Sequence, residues 1–376
     1  MQKVIIRSGS IVSPLGFTVE ENVQAVLDGR SGVVAQNGTF GIPEPFMASL
    51  FDRDRVFERA AGQGITGYPL FETILLLSIR AAVAQAGIDP ASPRTALVIS
   101  SIKGNVEALG TDASSVPVSV SAERVASFLG CSNLPLVVSN ACISGLSALV
   151  HARRMLLSGA YDRVIVAGAE VQSRFIVSGF QSLKALSPVR CKPFDADRSG
   201  LNLGEAAATV VLERTDTFDP EDWELVDGAT RNDANHISGP SRTGEGSYNA
   251  LRYVLASCSP DELAFINVHG TATLFNDEME SIALQRAGLS SVPVNALKAV
   301  FGHTMGAAGL LEVLVSMRAV DAGIVPATLG FTRLGVSCPV NVSAENRPTG
   351  KRAFIKLLSG FGGCNAAMLF RKGGTR

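Results

Sequence analysis

The chain has 376 residues, 46% of them hydrophobic and only 18% charged, which predicts a large core spread over two domains or one fused double domain. A formal charge of −1 lacks the basic excess of a general nucleic-acid binder. Charged and polar residues break every apolar run well short of the ~20 residues of a membrane span, so a soluble, cytoplasmic protein with no nucleic-acid and no membrane partner is expected.

The chain opens on a short strand-like run interrupted by Lys3 and Arg7, which does not read as a signal peptide. A β-rich run at 96–100 follows, then a Ser/Val-rich stretch at 111–118. A strand at 136–139, entered through Pro135, leads into Ser-Asn-Ala-Cys142-Ile-Ser-Gly and a helix at 144–158 with Leu146, Leu149, Val150 and Leu156 as its apolar positions. Strands at 163–167 and 207–213 complete this half. The Asp-, Pro- and Glu-bearing stretch 215–222 is the best boundary, giving domains 1–214 and 215–376. The second half repeats the alternation: strand 265–268, helix 278–287, helix 306–322, and strands 353–358 and 366–370. Alternation of this kind predicts an α/β protein with layered sheets.

Cys142, His269 and His303 carry the chemistry. They sit in Gly-rich junctions: the Cys142 segment above, Val-His269-Gly-Thr-Ala-Thr, and Phe-Gly-His303-Thr-Met-Gly-Ala-Ala-Gly. Two of the chain's four histidines lie here. A thiol at a helix start meets the positive end of the helix dipole, so a lowered pKa is expected for Cys142. Two imidazoles can hydrogen-bond an acyl oxygen or move a proton near neutral pH. Together they suggest acyl-thioester chemistry. The plain alternatives are a packed core cysteine and a capping histidine. The strand-turn-helix setting favours a presented nucleophile, because α/β proteins bind ligands at the carboxyl ends of strands.

The six cysteines (Cys131, Cys142, Cys191, Cys258, Cys338 and Cys364) have no Cys-x-x-Cys spacing and read as core residues plus one reactive thiol. The acidic run Asp277-Glu278-Met-Glu280 near His269 comes with no zinc-ligand spacing, so no metal is expected. Gly360-Phe361-Gly362-Gly363-Cys364-Asn365 lacks the last glycine of a dinucleotide loop and the room for a following βαβ unit. A faint internal echo links the halves. Glycine and leucine follow Cys142 at +3 and +7 (Gly145, Leu149) and follow His303 at the same offsets (Gly306, Leu310). One unit used twice would make Cys142 and His303 equivalent positions, although chance gives two such matches as well.

With these segments in order, the chain resembles the β-ketoacyl-[acyl-carrier-protein] synthases of the elongating type, which carry one active-site cysteine and two histidines. The similarity covers nearly the whole chain. It also rests on Pro193-Phe-Asp-Ala-Asp-Arg-Ser-Gly200 with Gly204-Glu205, Asn232-Asp-Ala-Asn-His236, His269-Gly-Thr-Ala-Thr-Leu-Phe-Asn-Asp277, Lys298-x4-His303-x5-Gly309 and Gly360-Phe-Gly-Gly-x-Asn365. The resemblance implies a thiolase-like, pseudo-duplicated α-β-α-β-α layered sandwich, normally dimeric, as a homodimer or a heterodimer with a related synthase.

It further implies that Cys142 accepts an acyl chain from acyl carrier protein. The backbone N–H groups of Cys142 and Phe361 would form the oxyanion hole, with Phe361 also gating the pocket. His269 and His303 would hold the malonyl thioester oxygen as CO₂ leaves, with Lys298 organising their electrostatics. Ile102 and Phe180 would line the acyl pocket. No cofactor is implied. Cys364 stands where Thr or Ser is usual, and reads as a substitution and not as a second catalytic base. Ser359 stands where Phe is common. The chain is shorter than typical relatives, with the loss before Cys142, and 111–118 lacks the usual aromatic-rich segment. The resemblance implies fatty-acid or polyketide-like biosynthesis, and these departures point within it to a specialised chain, an aryl polyene or another polyketide-like product. The rival expectation is a chain-length-factor-like partner subunit with little turnover of its own; retention of the cysteine, lysine and both histidines favours the enzyme.

Overall fold

The computed structural model describes residues 2–217 and 219–373. The strands of the first half are β1 (Lys3–Val12), β2 (Val34–Gln36), β3 (Phe46–Ser49), β4 (Thr95–Ser100), β5 (Leu136–Val138), β6 (Arg163–Glu170), β7 (Leu203–Gly204) and β8 (Ala206–Thr215). Those of the second are β9 (Trp223–Asn232), β10 (Leu263–Asn267), β11 (Pro293–Asn295), β12 (Ile324–Val325), β13 (Asn341–Val342), β14 (Arg347–Pro348), β15 (Ala353–Gly360) and β16 (Cys364–Lys372).

The first-half helices are α1 (Val19–Leu27), α2 (Arg53–Ala61), α3 (Leu70–Ala86), α4 (Val118–Leu129), α5 (Ser144–Leu157) and α6 (Arg174–Ser182). They are followed by α7 (Glu245–Leu255), α8 (Leu274–Arg286), α9 (Lys298–Phe301) and α10 (Ala308–Asp321). Local sequence sets several ends. Thr18 and Glu21 form a reciprocal capping box at the start of α1. Gly87, left-handed at φ 63°, ends α3.

Among the described residues, eleven strands join into one sheet in the order β13-β11-β10-β15-β16-β9-β1-β8-β6-β4-β5. The order is nearly palindromic about the β9–β1 junction, where Ile5 faces Glu224 and Ile6 faces Trp223. Outward from it, β1-β8-β6 and β9-β16-β15 run antiparallel, while β6-β4-β5 and β15-β10-β11 run parallel. The two arms therefore repeat one topology. Each sends an outer parallel strand (β5 or β11) toward a buried helix, α5 or α10.

The period-2 pattern of the strands sorts their side chains between layers. Val164 and Val166 of β6 and Met368 and Phe370 of β16 enter one central core with Leu146 and Leu149 of α5 and Leu310 and Leu314 of α10. The opposite faces, Ile165 and Ala167 or Ala367 and Leu369, pack in two outer cores, the first under α3 and α4 and the second under α7. The result is the expected α-β-α-β-α sandwich, with α5 and α10 as the middle layer.

That middle layer depends on missing side chains. A Cβ added at Gly145 would lie 2.9 Å from the Gly306 carbonyl oxygen, and one at Gly309 would lie 2.5 Å from the Leu146 nitrogen. Both obstacles are backbone and cannot rotate away. Gly309→Ala is expected to destabilise the protein by about 1–3 kcal/mol, as overpacking does. Gly179→Ala in α6, where an added Cβ meets nothing within 4 Å, should leave stability unchanged or raise it slightly. Denaturant titration of the two variants checks the contrast.

Every strand and helix expected along the chain is present, with ends shifted by a few residues. The largest shift is α8, which begins at Leu274 and not at 278. Its first turns bury Asn276, Asp277 and Glu280, so apolar periodicity cannot find them. Those carboxylates face inward because they accept backbone donors: Asp277 from Phe194 at 2.7 Å, Glu280 from His269 at 2.7 Å and from Gly270 at 2.8 Å.

Candidate active site

Three segments arrive at one cavity of about 450 Å³ lined by Cys142, His269 and His303 together with Phe180, Ser359 and Phe361. Cys142 follows β5 and precedes the α5 cap, Ile143; His303 occupies the matching place before Thr304, the cap of the helical turn that leads into α10. The echo in the sequence thus corresponds to two topologically equivalent helix entrances. His269 follows β10. The Cys142 sulfur and one nitrogen from each imidazole lie within 4.8 Å of one another, and the two imidazole rings meet edge-to-face at 5.0 Å.

Backbone strain accompanies each of the three. Ala141, Ala272 and Met305 all have positive φ, at 44°, 62° and 42°, a conformation that non-glycine residues keep only where the surroundings hold it. At the first, the Ser144 hydroxyl donates to the Ala141 carbonyl at 2.6 Å and accepts from the Asn140 N–H at 2.8 Å. This pair pins the turn that presents Cys142.

The expected lowering of the Cys142 pKa is overturned. Cys142 is only 7% exposed, and its thiol is pushed up to about 12, chiefly by burial and next by the neighbouring Cys364, with Lys298 opposing. Removal from water penalises the thiolate more than a helix entrance two residues away favours it. A small alkylating agent at pH 7 should therefore label the less buried Cys338 and Cys131 before Cys142. Peptide mapping after limiting iodoacetamide tests this order; preferential labelling of Cys142 would contradict the buried, protonated thiol.

Both imidazoles are held neutral. The pKa values of His269 and His303 lie well below the usual 6.5, first through burial and then through Lys298, with Lys356 also contributing. His303 Nδ1 accepts the Met305 N–H at 3.3 Å, so the ring proton sits on Nε2, which has no hydrogen-bond partner among the described residues. A neutral donor is thereby left for a bound oxygen. His269 is fixed through its backbone by Glu280, as described above.

Lys298 touches neither ring by hydrogen bond. It is fully buried and pairs with Glu312 of α10, whose other carboxylate oxygen takes Lys356 of β15. Burial pushes the Glu312 pKa up, but the two ammonium groups outweigh it and bring it below the usual value. Glu312 and Lys356 were missed in the sequence, although the signal was there: each is a lone charge inside an apolar run, Leu-Leu-Glu312-Val and Phe-Ile-Lys356-Leu. Charges in such runs are buried and must find partners.

Phe361 is 40% exposed at the cavity mouth and stacks on Phe180 at 6.0 Å. It is no core residue. Its neighbours Gly362 and Gly363 have φ of 80° and 75°, which a side chain would resist. Gly360 lies so close to Cys142 that an added Cβ would sit 3.1 Å from the Cys142 nitrogen and 2.8 Å from Cys364 Sγ. Ser359 also lines the cavity, where its hydroxyl donates to Asn365 at 2.8 Å. Ile102 is not brought to this cavity. It packs in the outer core beneath α3, with its N–H held by Glu170.

Comparison with known proteins agrees with this geometry. Residues 1–217 match the family model described as "Beta-ketoacyl synthase, N-terminal domain", and residues 224–332 match "Beta-ketoacyl synthase, C-terminal domain". A 3-oxoacyl-[acyl-carrier-protein] synthase 2 of Vibrio cholerae is 27% identical, with 99% of each chain covered. Among solved structures, a beta-ketoacyl synthase from Burkholderia phymatum superposes with a TM-score of 0.87 at 25% identity over 100% of both chains. The ishigamide ketosynthase/chain length factor superposes with a TM-score of 0.85 at 25% identity, covering 99% of this chain and 100% of that one. On these grounds the chain belongs to the beta-ketoacyl synthase family.

Proposed function

We propose that this chain condenses an acyl thioester held on Cys142 with malonyl-acyl-carrier protein, giving a 3-oxoacyl-acyl-carrier protein. The observation that carries the reading is the cavity itself, where one thiol and two neutral imidazoles lie within 4.8 Å. The assigned halves, 1–214 and 215–376, contribute Cys142 and the two histidines respectively.

In the first step Cys142 Sγ attacks the acyl carbonyl, and the backbone N–H groups of Cys142 and Phe361 take the developing oxyanion. The carrier thiolate leaves with the proton that Sγ gives up, passed by an adjacent imidazole. In the second step the bond from the malonyl α-carbon to its carboxylate breaks. CO₂ departs, and the electron pair becomes an enolate whose oxygen is held by His269 and His303. Neutral imidazoles suit this step: they donate hydrogen bonds without a strong base being required. The α-carbon then attacks the acyl-Cys142 carbonyl, and the released sulfur regains a proton from solvent. Lys298 acts through Glu312 on the field around both rings.

Acyl carrier protein is the partner in this reading, and the cytoplasm the location; among the described residues no helix is long and apolar enough to cross a membrane. The open edge of β5, flanked by Leu134 at 90% exposure, favours a dimer through sheet continuation. A heterodimer with a related synthase is in keeping with the ishigamide ketosynthase/chain length factor pair. Intact-mass spectrometry with a panel of acyl-loaded carrier proteins tests the function. An acyl adduct that vanishes in Cys142→Ala, and a two-carbon-longer product after malonyl-carrier protein is added, is the expected result. No adduct across the panel, or one on Cys364, would overturn it.

A further inference from the structure

Lys356 is a fully buried cation that the reaction as described does not use. Its Nζ donates to Glu312 Oε2, to Asn267 Oδ1 at 2.5 Å and the Asn267 carbonyl at 3.5 Å, and to the Val268 carbonyl at 3.1 Å. The last belongs to the peptide unit that enters His269. The N–H of that same unit is bound by Glu280 at 2.7 Å. An ammonium on the carbonyl and a carboxylate on the N–H thus clamp the peptide from both sides, fixing where β10 delivers the imidazole.

The charge balance is also unusual. Glu312 serves two ammonium groups, Lys298 and Lys356. Glu280 is the next carboxyl group that acts on Lys356; while it is protonated, one carboxylate faces two ammonium groups and one buried positive charge is left over behind the histidines.

Resting on the condensation reading above, we infer that Lys356 is a positioning residue for the decarboxylation half-reaction: it clamps the peptide of His269 and supplies the surplus buried charge that favours the malonyl carboxylate and the enolate formed from it. The acyl-transfer half-reaction, which brings in no anionic substrate, does not need that charge.

The groups around the Lys356 ammonium are Glu312 from α10, Lys298 from α9, Asn267 and Val268 from the end of β10, and Glu280 from α8, with His269 and His303 beyond them. Burial first, and Lys298 after it, bring the Lys356 pKa down to about 8, against the opposing pull of Glu312 and Glu280. The surplus charge is therefore lost as pH rises through about 8. Glu280, raised to about 7 mainly by burial and next by Asp277, ionises in the adjoining range and removes surplus charge in the same direction, so the part of the limb that belongs to Lys356 is the part lost in Lys356→Met.

The experiment measures CO₂ release from malonyl-loaded bacterial acyl carrier protein, and separately acyl loading of Cys142 by intact mass, from pH 6 to 9.5. Wild-type CO₂ release should fall above about pH 8 while loading does not. Lys356→Met should lose roughly tenfold in CO₂ release at pH 7, the equivalent of one pKa unit of electrostatic interaction. It should also show a shallower alkaline limb and keep loading within about twofold. A limb as deep in Lys356→Met as in wild type, or one equally strong in wild-type loading, would overturn the inference. The wild-type comparison decides even if the variant does not fold. Absence of both loading and CO₂ release in wild type would instead remove the condensation reading itself.

Discussion

Replacing His303 with alanine is expected to slow condensation by about 10²–10³-fold, the usual cost of losing one oxyanion donor, while acyl transfer to Cys142 is largely spared. The reason is the hydrogen-bond arrangement around the ring. His303 is 1% exposed, with Nδ1 engaged by the Met305 N–H and Nε2 without a partner among the described residues. Its single free function is to donate from Nε2, and the oxygen needing that donor is the one that gains charge as CO₂ leaves. In the proposed reaction acyl transfer draws its oxyanion donors from backbone N–H groups instead. Because both histidines are neutral far below pH 7, the loss should be the same at pH 6.5 and 7.5. Single-turnover loading and steady-state condensation, measured at both pH values, separate the two steps. Full condensation by His303→Ala, or a loss shared equally with loading, would refute the division of labour.

Shrinking Phe361 to alanine should change selectivity more than stability. A core phenylalanine truncated to alanine costs about 3–5 kcal/mol. Phe361 is instead 40% exposed and held by one stacking partner, Phe180, so a loss nearer ~0.5–1.5 kcal/mol is expected. The surrounding loop is tied down by other means: the Gly362 N–H donates to the Ile237 carbonyl at 2.8 Å, and the Asp233 N–H to the Gly363 carbonyl at 2.9 Å. Removing the ring therefore opens the cavity above Cys142 without releasing the backbone. Malonyl units should then reach Cys142 before an acyl chain is loaded, raising unproductive decarboxylation and flattening the preference among acyl chain lengths. Thermal melting and a competition among acyl-carrier proteins of different chain length check both halves. Unchanged selectivity beside a large drop in Tm would show a packing residue and end the gate assignment.

The chemistry was legible because its carriers are rare and locally marked. Cysteine and histidine in Gly-rich strand-to-helix turns stand out in a chain with four histidines, and their order together with the flanking motifs suggests the family. The layered fold was legible too, since strand and helix periodicities are local properties: Val164, Ile165, Val166 and Ala167 alternate between two cores just as period 2 requires. Even the duplication left a trace, in Gly145 and Gly306.

The ionisation states could be decided only by the tertiary structure. Helix position argued for a Cys142 thiolate, but desolvation depends on everything packed around a group, and it pushed the thiol to about 12. The same limit hid the Glu312 clamp, whose partners Lys298 and Lys356 come from elements 58 positions apart in sequence. It also hid the inward-facing polar start of α8, and it made Phe361 a rim residue while leaving Ile102 outside the cavity. Periodicity and composition carry information about neighbours along the chain. Burial, charge pairing and cavity shape are set by neighbours across it, and these fix what the thiol and the two imidazoles can do.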